Sequence, residues 1–175
     1  MVSSMKTFNQ QTIVCNPHNP TANMATDAQI KAHIEQLVAN SLPKSPIYQF
    51  LLSSVEIHSA TKGVVKARLH LTKNHLNSSG GIHGSVSATI VDWAGGMAIA
   101  TWDMERFISK TGVSVDIHVT YLSSAKDGDE IEIEATAEKV GGSLAFTRIV
   151  ISKVVNGAVG PVIASGTHTK YVKSV

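Results

Sequence analysis

The sequence has a single cysteine, Cys15, among its 175 residues. One thiol cannot form a disulfide within the chain, so a disulfide-stapled secreted scaffold is excluded and a reducing compartment is favoured. Charged residues make up only 16% of the chain, with 15 basic against 13 acidic residues and a formal net charge of +2. Lys and Arg form no sizeable cluster, which argues against a nucleic-acid partner held by phosphate contacts.

Long apolar runs are also missing. The longest, Val86 to Thr101, is too short for a membrane span and carries Asp92 near its middle, where a charge in lipid is costly. The N-terminal residues lack a secretory apolar core, the first arginine is Arg68, and the last three residues, Lys-Ser-Val, are not a peroxisomal signal. We therefore expect a cytoplasmic protein without a membrane partner, with the mitochondrion as the alternative compartment.

The remaining composition is that of a folded domain. Hydrophobic residues make up 43% of the chain, which is enough for a core, and the length fits one ordinary domain rather than two. Residues 1–25 are polar and are broken by Asn16-Pro17 and Asn19-Pro20. This pattern predicts an N-terminal arm over residues 1–25 and a single domain over residues 26–175.

Two segments have helical periodicity. The first, from Thr26 to Leu42, can be capped by Thr26 or Asp27 and ends before two prolines; its apolar positions are Ile30, Ile34, Leu37 and Val38. The second, from His83 to Trp102, is long and apolar, with a coherent stripe at Val86, Ile90, Trp93 and Met97. A short apolar segment, residues 47–52, lies between them without a clear period.

The other segments alternate with the period of strands. Six strands are predicted, over residues 55–60, 64–71, 113–122, 130–139, 145–154 and 162–170. Turn signals separate them, for example Gly141-Gly142 and Asn156-Gly157. A single long helix placed early in a run of antiparallel strands predicts an α+β domain whose sheet wraps around that helix.

Two features of the long helix have more than one interpretation. Gly95-Gly96 lowers helix propensity by roughly 1 kcal/mol per glycine, so either close packing or a nearby ligand must favour the pair. Trp93 lies on the apolar stripe, where core packing is the favoured interpretation and a cap on a ligand tunnel is the alternative.

The segment from Asn77 to Ser85 leads into this helix through a glycine-containing loop. Backbone N–H groups at a helix start are unpaired and lie at the positive end of the dipole, which suits a phosphate or a developing oxyanion. Asp92 follows His83 by nine residues, about two and a half turns, so it points away from the helix start of its own chain. A symmetric dimer could bring Asp92 of one chain to Gly84 of the other; alternatively, Asp92 satisfies a polar partner at an interface.

An ordered set of motifs extends this pattern over roughly residues 30–172. In chain order they are Asn77-x5-His83-Gly84, Asp92, Gly112-Val113-Ser114-Val115-Asp116, Tyr121-Leu122, Ala125-Lys126-x-Gly128-Asp129, Leu144-Ala145-Phe146-Thr147 and Gly166-x-His168-Thr169-Lys170. With these residues at these spacings the sequence resembles the hotdog-fold acyl-CoA thioesterases, in their phenylacetyl-CoA-thioesterase-like branch. The resemblance implies an antiparallel sheet around one central helix, dimerising into a larger sheet, and hydrolysis of acyl-CoA to free acid and CoA.

The resemblance also implies roles for individual residues. The backbone N–H of Gly84 would bind the thioester carbonyl, Asn77 would position the thioester and the water, and His83 would support that loop. Asp92 from the partner subunit would act as general base or as nucleophile, and Ser114 would orient the attacking water. A homodimer, and usually a dimer of dimers, is implied, with acyl-CoA as the partner and with no metal or other cofactor.

Five further residues are candidates for binding substrate or CoA. His168 and Lys170 lie where family members meet CoA, and Lys139 and Ser143 are the ends of the loop over residues 139–143. That loop has Gly142 where close relatives place a lysine, so CoA affinity can differ. Ser85 replaces a second glycine that the family often has, so its side chain could crowd or hydrogen-bond the substrate.

Two other functions are alternatives to hydrolysis. A hotdog protein that binds acyl-CoA without cleaving it is the alternative, and a hotdog dehydratase is less favoured because His83 and Asp92 lie on opposite helix faces. Ser114, Asp116 and His118 alternate onto one strand face and superficially suggest a triad, but side chains along a strand do not converge on one nucleophile. The eight histidines show no spacing that is typical of a metal site.

Overall fold

The structure, a computed structural model, describes residues 25–173. Its helices and strands are α1 (Asp27–Ser41), α2 (Pro46–Leu52), β1 (Glu56–Thr61), β2 (Val64–His70), α3 (Gly84–Ala100), β3 (Val113–Tyr121), β4 (Glu130–Val140), β5 (Leu144–Val155) and β6 (Ala158–Tyr171). The predicted arm over residues 1–25 lies outside the described residues except for Ala25, which packs against the core.

The strands of the described residues form one antiparallel sheet in the order β1-β2-β4-β5-β6-β3. The long helix α3 lies against this sheet and contacts β2 through β6, while α1 packs on β1. An antiparallel sheet around one central helix confirms the α+β hotdog fold predicted from the sequence. Dimerisation into a larger sheet stays a prediction; the edge strand β3 exposes apolar side chains at Val113, Val115 and Tyr121.

The first helix follows the sequence pattern closely. Thr26 and Gln29 form a capping box at its start, and its four apolar positions are buried as predicted. The apolar segment after it forms a second helix, α2, which periodicity did not indicate because seven residues make only two turns. Leu51 and Leu52 of α2 are buried, whereas Ile47 and Phe50 are exposed.

Close packing explains the glycine pair of α3. A Cβ atom on Gly95 would lie 2.8 Å from Thr147 Oγ1 and 3.0 Å from His168 Nδ1, and one on Gly96 would lie 2.6 Å from Thr111 Oγ1. Contacts this short are not tolerated, so glycine lets α3 approach the sheet and the segment before β3. The helix stripe is buried throughout, including Trp93 at 3% exposure.

A bulge in β3 decides which side chains reach the helix. Ser114 pairs with Lys170 and Asp116 pairs with Thr169, so β3 has one more residue than β6 at this point. Since neighbouring residues of β6 face opposite sides of the sheet, Ser114 and Asp116 also face opposite sides. The prediction that Ser114, Asp116 and His118 share a face is therefore wrong, and Ser114 is directed to the α3 side with Lys170.

Candidate active site

The start of α3 is held by His83. His83 is the N-cap of the helix: its Nδ1 atom accepts a hydrogen bond from the Ser85 backbone N–H at 3.1 Å and lies 2.7 Å from Ser85 Oγ. The backbone N–H of His83 donates to the carbonyl of His75. The Ser85 hydroxyl, a candidate for substrate contact, is therefore engaged in capping the helix with His83.

Asn77 organises the loop before the helix. Its side-chain oxygen accepts hydrogen bonds from the backbone N–H groups of Ser79 at 2.9 Å and Gly81 at 3.2 Å. Its Nδ2 atom lies 3.5 Å from the carbonyl oxygen of Ile82. These bonds give the loop a fixed shape, while a direct contact between Asn77 and a thioester stays a prediction.

Gly84 presents a backbone donor at the helix start. As the first residue of α3, its N–H has no acceptor within the helix, and it makes no hydrogen bond to any residue between 25 and 173. The carbonyl of Gly84 accepts a hydrogen bond from the Tyr121 hydroxyl at 3.2 Å. The free N–H at the positive end of the helix dipole is suited to bind an oxygen that gains negative charge.

A second group of side chains surrounds Asp92. The Tyr48 hydroxyl donates to Asp92 Oδ2 at 2.6 Å, and the Ser114 hydroxyl donates to Asp92 Oδ1 at 3.1 Å. His168 Nε2 lies 3.0 Å from Ser114 Oγ and 3.6 Å from Asp92 Oδ1. These neighbours hold the Asp92 side chain in place. The side chain is still 31% exposed, so another molecule can reach it.

His168 is neutral in this group. Its side chain is fully buried, and burial lowers its pKa, as does the charge of Lys170, against the opposing effect of Asp92. The Ser114 hydroxyl has one hydrogen, which it gives to Asp92, so it accepts its bond from His168 Nε2–H. A directed chain of hydrogen bonds therefore runs from His168 through Ser114 to the carboxylate.

Lys170 adds a positive charge next to the carboxylate. It is 6% exposed, and burial lowers its pKa, an effect partly offset by the nearby negative charge of Asp92. Burial and the hydrogen bond to Asp92 together raise the pKa of Tyr48, so its hydroxyl remains a donor. His168 and Lys170 are thus placed beside Asp92, and their contact with CoA stays a prediction.

The two groups are separate within one chain. Asp92 is eight residues beyond Gly84, a rise of about 12 Å along the helix axis. No hydrogen bond or ion pair between residues 25 and 173 joins the Asn77, His83 and Gly84 group to the Asp92 group. One chain therefore presents an unpaired backbone donor in one place and a hydrogen-bonded carboxylate in another.

Lys139 and Ser143 lie near the β4–β5 turn. Both side chains are exposed, and the Ser143 carbonyl accepts a hydrogen bond from the Val172 backbone N–H. Arg106 fixes this turn by donating to the carbonyl groups of Gly141, Gly142 and Val172, each at 3.0 Å. The turn lies at the sheet end where Ala145, Lys170 and Ser114 are paired.

Three cavities surround the Asp92 group. A small inner one of about 90 Å³ lies beside the carboxylate, lined in part by Leu37, Trp93 and Met97. A groove of about 590 Å³ lies outside it, and a cleft of about 430 Å³ runs along residues 109–113 to Lys170. Trp93 thus belongs to the core and also lines the inner cavity, and its Nε1 atom has no hydrogen-bond partner in residues 25–173.

Sequence reasoning missed Tyr48, Tyr121 and Arg106. The bond from Tyr48 to Asp92 joins positions 44 residues apart, and the bonds of Arg106 reach 35 residues or more. A local sequence pattern cannot predict a contact between residues so far apart in the chain. Tyr121 belongs to one of the motifs that carry the family resemblance, but its hydrogen bond to the Gly84 carbonyl was not predicted.

Two further kinds of site are not found in the described part of the chain. Residues 25–173 contain no group of three or more His, Cys, Asp or Glu side chains arranged to hold a metal ion. No helix among them has the length and hydrophobicity that a membrane crossing requires. The prediction that no cofactor takes part stays a prediction.

The sheet and its central helix define a hotdog-fold protein. The model of the thioesterase superfamily matches residues 79–159. Human acyl-coenzyme A thioesterase 13 is 36% identical over 135 residues, which is 77% of this chain and 91% of that protein. The chain belongs to the thioesterase superfamily and is a thioesterase, which confirms the family predicted from the sequence.

Solved structures agree with this assignment. The crystal structure of zebrafish thioesterase superfamily member 2 matches with a TM-score of 0.68 and 34% identity, over 85% of this chain and 99% of that one. The PaaI protein of Escherichia coli, from the phenylacetic acid degradation operon, matches with a TM-score of 0.63 over 82% of this chain and 95% of that one. At 16% identity the PaaI match shows the shared fold alone.

Proposed function

We propose that this protein hydrolyses acyl-CoA thioesters to free acid and CoA. The observation that carries the proposal is the Asp92 carboxylate on the central helix of a thioesterase-superfamily chain, held by hydrogen bonds from Tyr48 and Ser114. The human relative is named an acyl-coenzyme A thioesterase, which supports CoA esters as the substrate class.

The thioester carbonyl binds to the backbone N–H of Gly84. Negative charge develops on the carbonyl oxygen as water attacks, and one preorganised N–H donor of this kind is worth about 10²–10³ in rate. His83 and Asn77 keep the helix start and its loop in shape for this contact. The positive end of the α3 dipole adds to the stabilisation of the oxyanion.

Asp92 of the partner subunit supplies the other half of the reaction. As a general base it takes a proton from a water that Ser114 orients; the water oxygen bonds to the carbonyl carbon, the C–S bond breaks, and the CoA thiolate takes up the proton. As a nucleophile it would form an acyl anhydride that water then hydrolyses. A single turnover in ¹⁸O-labelled water tests for the anhydride: when water attacks its Asp92 carbon, ¹⁸O enters the Asp92 side chain and the first acid is unlabelled, whereas a general base puts ¹⁸O into the acid and none into Asp92.

The proposed assembly is a homodimer formed along β3, which pairs further into a dimer of dimers. The exposed apolar side chains of β3 support this, since an edge strand of that kind favours pairing with another chain. Pairing at this edge lies next to Ser114 and the Asp92 group. Sedimentation at several protein concentrations measures whether the dimer or the tetramer is the stable species.

CoA is proposed to lie in the cleft along residues 109–113 and the nearby β4–β5 turn. Lys110 lines the cleft, and Lys139 and Ser143 lie at the same end of the sheet, where they can meet phosphate groups. No metal or organic cofactor is part of the proposed reaction, so activity should survive treatment with a chelator.

The proposed setting is fatty acid metabolism in the cytoplasm, with the mitochondrion as the alternative. The single cysteine favours a reducing compartment, which supports the cytoplasm. A fluorescent fusion of the full chain, imaged with a mitochondrial marker, separates the two compartments.

The test is release of free thiol from a panel of short, medium, long and aromatic acyl-CoA substrates. We expect turnover by the wild-type protein and a loss of at least about a hundredfold in Asp92→Asn, because the amide cannot accept a proton from water. Asp116→Asn is the matched control: it makes the same change on the opposite side of the sheet from Ser114 and should keep wild-type activity.

Three outcomes contradict parts of the proposal. Saturable binding without thiol release from any substrate would make the protein an acyl-CoA-binding protein instead. Dehydration of 3-hydroxyacyl-CoA without hydrolysis would favour a dehydratase. Full activity in a folded Asp92→Asn variant would remove Asp92 from the mechanism.

A further inference from the structure

Tyr48 lies in the wall between the inner cavity and the outer groove. Four residues line both spaces: Leu37, Ser41, Tyr48 and Ser109. Leu37 is 4% exposed and is fixed within the packed face of α1. Tyr48 lies on the short helix α2, packs against the core and is half-buried, so it is the less buried of the two large side chains of this wall.

The hydroxyl of Tyr48 ties this wall to the reacting carboxylate. It donates to Asp92 Oδ2 at 2.6 Å, while Ser114 occupies Asp92 Oδ1 and His168 and Lys170 approach from β6. Swinging the ring out of the wall would break a hydrogen bond to a charged group, which is among the stronger bonds a side chain makes. The closed position of the ring is therefore favoured by the same group that carries out the reaction.

The sizes of the two spaces set what each can hold. An apolar cavity of about 150 Å³ takes one benzene molecule, so the inner cavity of about 90 Å³ has room for only a few carbon atoms. The outer groove of about 590 Å³ falls within the usual range for small-molecule sites. Of the four side chains that line both spaces, Tyr48 is the largest and the one bonded to the carboxylate.

We propose that Tyr48 is a specificity-determining residue that limits the length of the acyl group. With the ring in place, the inner cavity accepts the acyl groups of short-chain acyl-CoA, against the apolar side chains of Leu37, Trp93 and Met97. Longer acyl groups enter the outer groove only when the ring leaves Asp92. The proposal rests on the proposed function, because it places the acyl group of the thioester beside Asp92.

The test compares kcat/KM for acetyl-, butyryl-, octanoyl- and palmitoyl-CoA in four proteins. The wild type should favour the short substrates. Tyr48→Phe keeps the ring and loses the bond to Asp92, so the octanoyl-to-butyryl ratio should rise about tenfold, with a lower kcat for butyryl-CoA since the carboxylate loses a donor. Tyr48→Ala removes the ring and should raise the ratio further and extend activity to palmitoyl-CoA.

Phe50→Ala is the matched control. Phe50 lies on the same short helix but is 61% exposed, so its loss truncates an aromatic ring of α2 without opening the wall. Its chain-length profile should be that of the wild type. Thermal unfolding of each variant checks the fold, and if Tyr48→Ala is unstable, the conservative Tyr48→Phe variant decides the test.

The results separate failure of this inference from failure of the proposed function. A wild type that releases thiol from none of the four substrates would overturn both. An active wild type that prefers long chains, or a Tyr48→Phe variant with an unchanged octanoyl-to-butyryl ratio, would overturn the role of Tyr48 and leave the thioesterase standing. A Phe50→Ala profile that shifts as far as the Tyr48 variants would show that α2 as a whole, and not this ring, sets the length.

Discussion

At the scale of single residues, the proposed chemistry depends on how Asp92 is held. Tyr48 and Ser114 each donate to one carboxylate oxygen, which holds the group in one orientation. His168 is kept neutral by burial and directs its Nε2–H to Ser114, so it orients the serine without adding a charge. Lys170 brings the compensating positive charge close to the carboxylate.

Gly84 offers a residue-scale test, because alanine fits there without a clash inside the chain. A Cβ atom would meet the Tyr121 ring at 3.4 Å, an ordinary contact. We expect Gly84→Ala to leave the unfolding free energy unchanged or up to about 1 kcal/mol higher, from better helix propensity. The methyl group would enter the space where the carbonyl binds, so kcat/KM should fall about 10–100-fold. Thiol-release kinetics and urea unfolding measure the two effects, and wild-type kcat/KM in the variant would remove Gly84 from the carbonyl site.

The sequence predicted the candidate site residues that stand out in a local pattern or motif. Gly84 and Asp92 could be named from the sequence because one begins a helix and the other is a charge within an apolar run. Ser114 was named through the family resemblance, and its direction came from a bulge that sequence alternation does not report. Tyr48 and Arg106 were not predicted, because their hydrogen-bond partners are distant in the chain.

At the scale of elements, α3 is the part around which the site is built. Its start supplies Gly84, its middle supplies Asp92, and its glycine pair lets it lie close to β5 and β6. Gly95 is the contact point for Thr147 and His168, so the packing of the helix also sets the position of the histidine that orients Ser114. Close packing accounts for both glycines, so a nearby ligand is not needed to explain them.

Gly95→Ala tests this link between packing and chemistry. Because the new methyl group would lie within 3.0 Å of Thr147 and His168, we expect a loss of about 1–3 kcal/mol in unfolding free energy from overpacking. Displacement of His168 should also lower kcat, measured at a temperature where the variant is fully folded. Gly84→Ala, the same change at the start of the same helix, is the stability control. A folded Gly95→Ala protein with wild-type stability and kcat would show that α3 does not hold His168 through this contact.

The long periodic elements were predictable, and the irregular ones were not. The bounds of α1, α3 and the strands up to β5 fall within one or two residues of the pattern. β6 begins at Ala158 rather than at residue 162, because Asn156 and Gly157 have positive φ and form a tight hairpin that carries the pairing past Pro161 at irregular register. Helix α2, which carries Tyr48, was not predicted because two turns are too short to show a helical periodicity of apolar residues.

At the scale of the whole molecule, each proposed active site needs two chains. Gly84 and Asp92 lie about 12 Å apart along the axis of α3, and β3, beside the Asp92 group, is an exposed apolar edge. A two-fold axis near β3 would bring each group to its complement, giving two equal sites per dimer.

A heterodimer of two inactive chains tests this arrangement. Asn77→Ala impairs one group and Asp92→Asn impairs the other, so a dimer with one chain of each has one fully mutated site and one intact site. Co-expression with two different tags and purification on both tags isolates that dimer. The matched control pairs Asp92→Asn with Ser114→Ala, two changes within the same group, so that every site contains one of them.

The most direct measurement is thiol release from acyl-CoA by the purified Asn77→Ala and Asp92→Asn heterodimer. Shared sites predict about half of the wild-type activity per dimer, from parents that are each inactive, and no recovery in the Asp92→Asn and Ser114→Ala pair. A heterodimer no more active than its parents would contradict the account, because it would show that each chain builds its site alone.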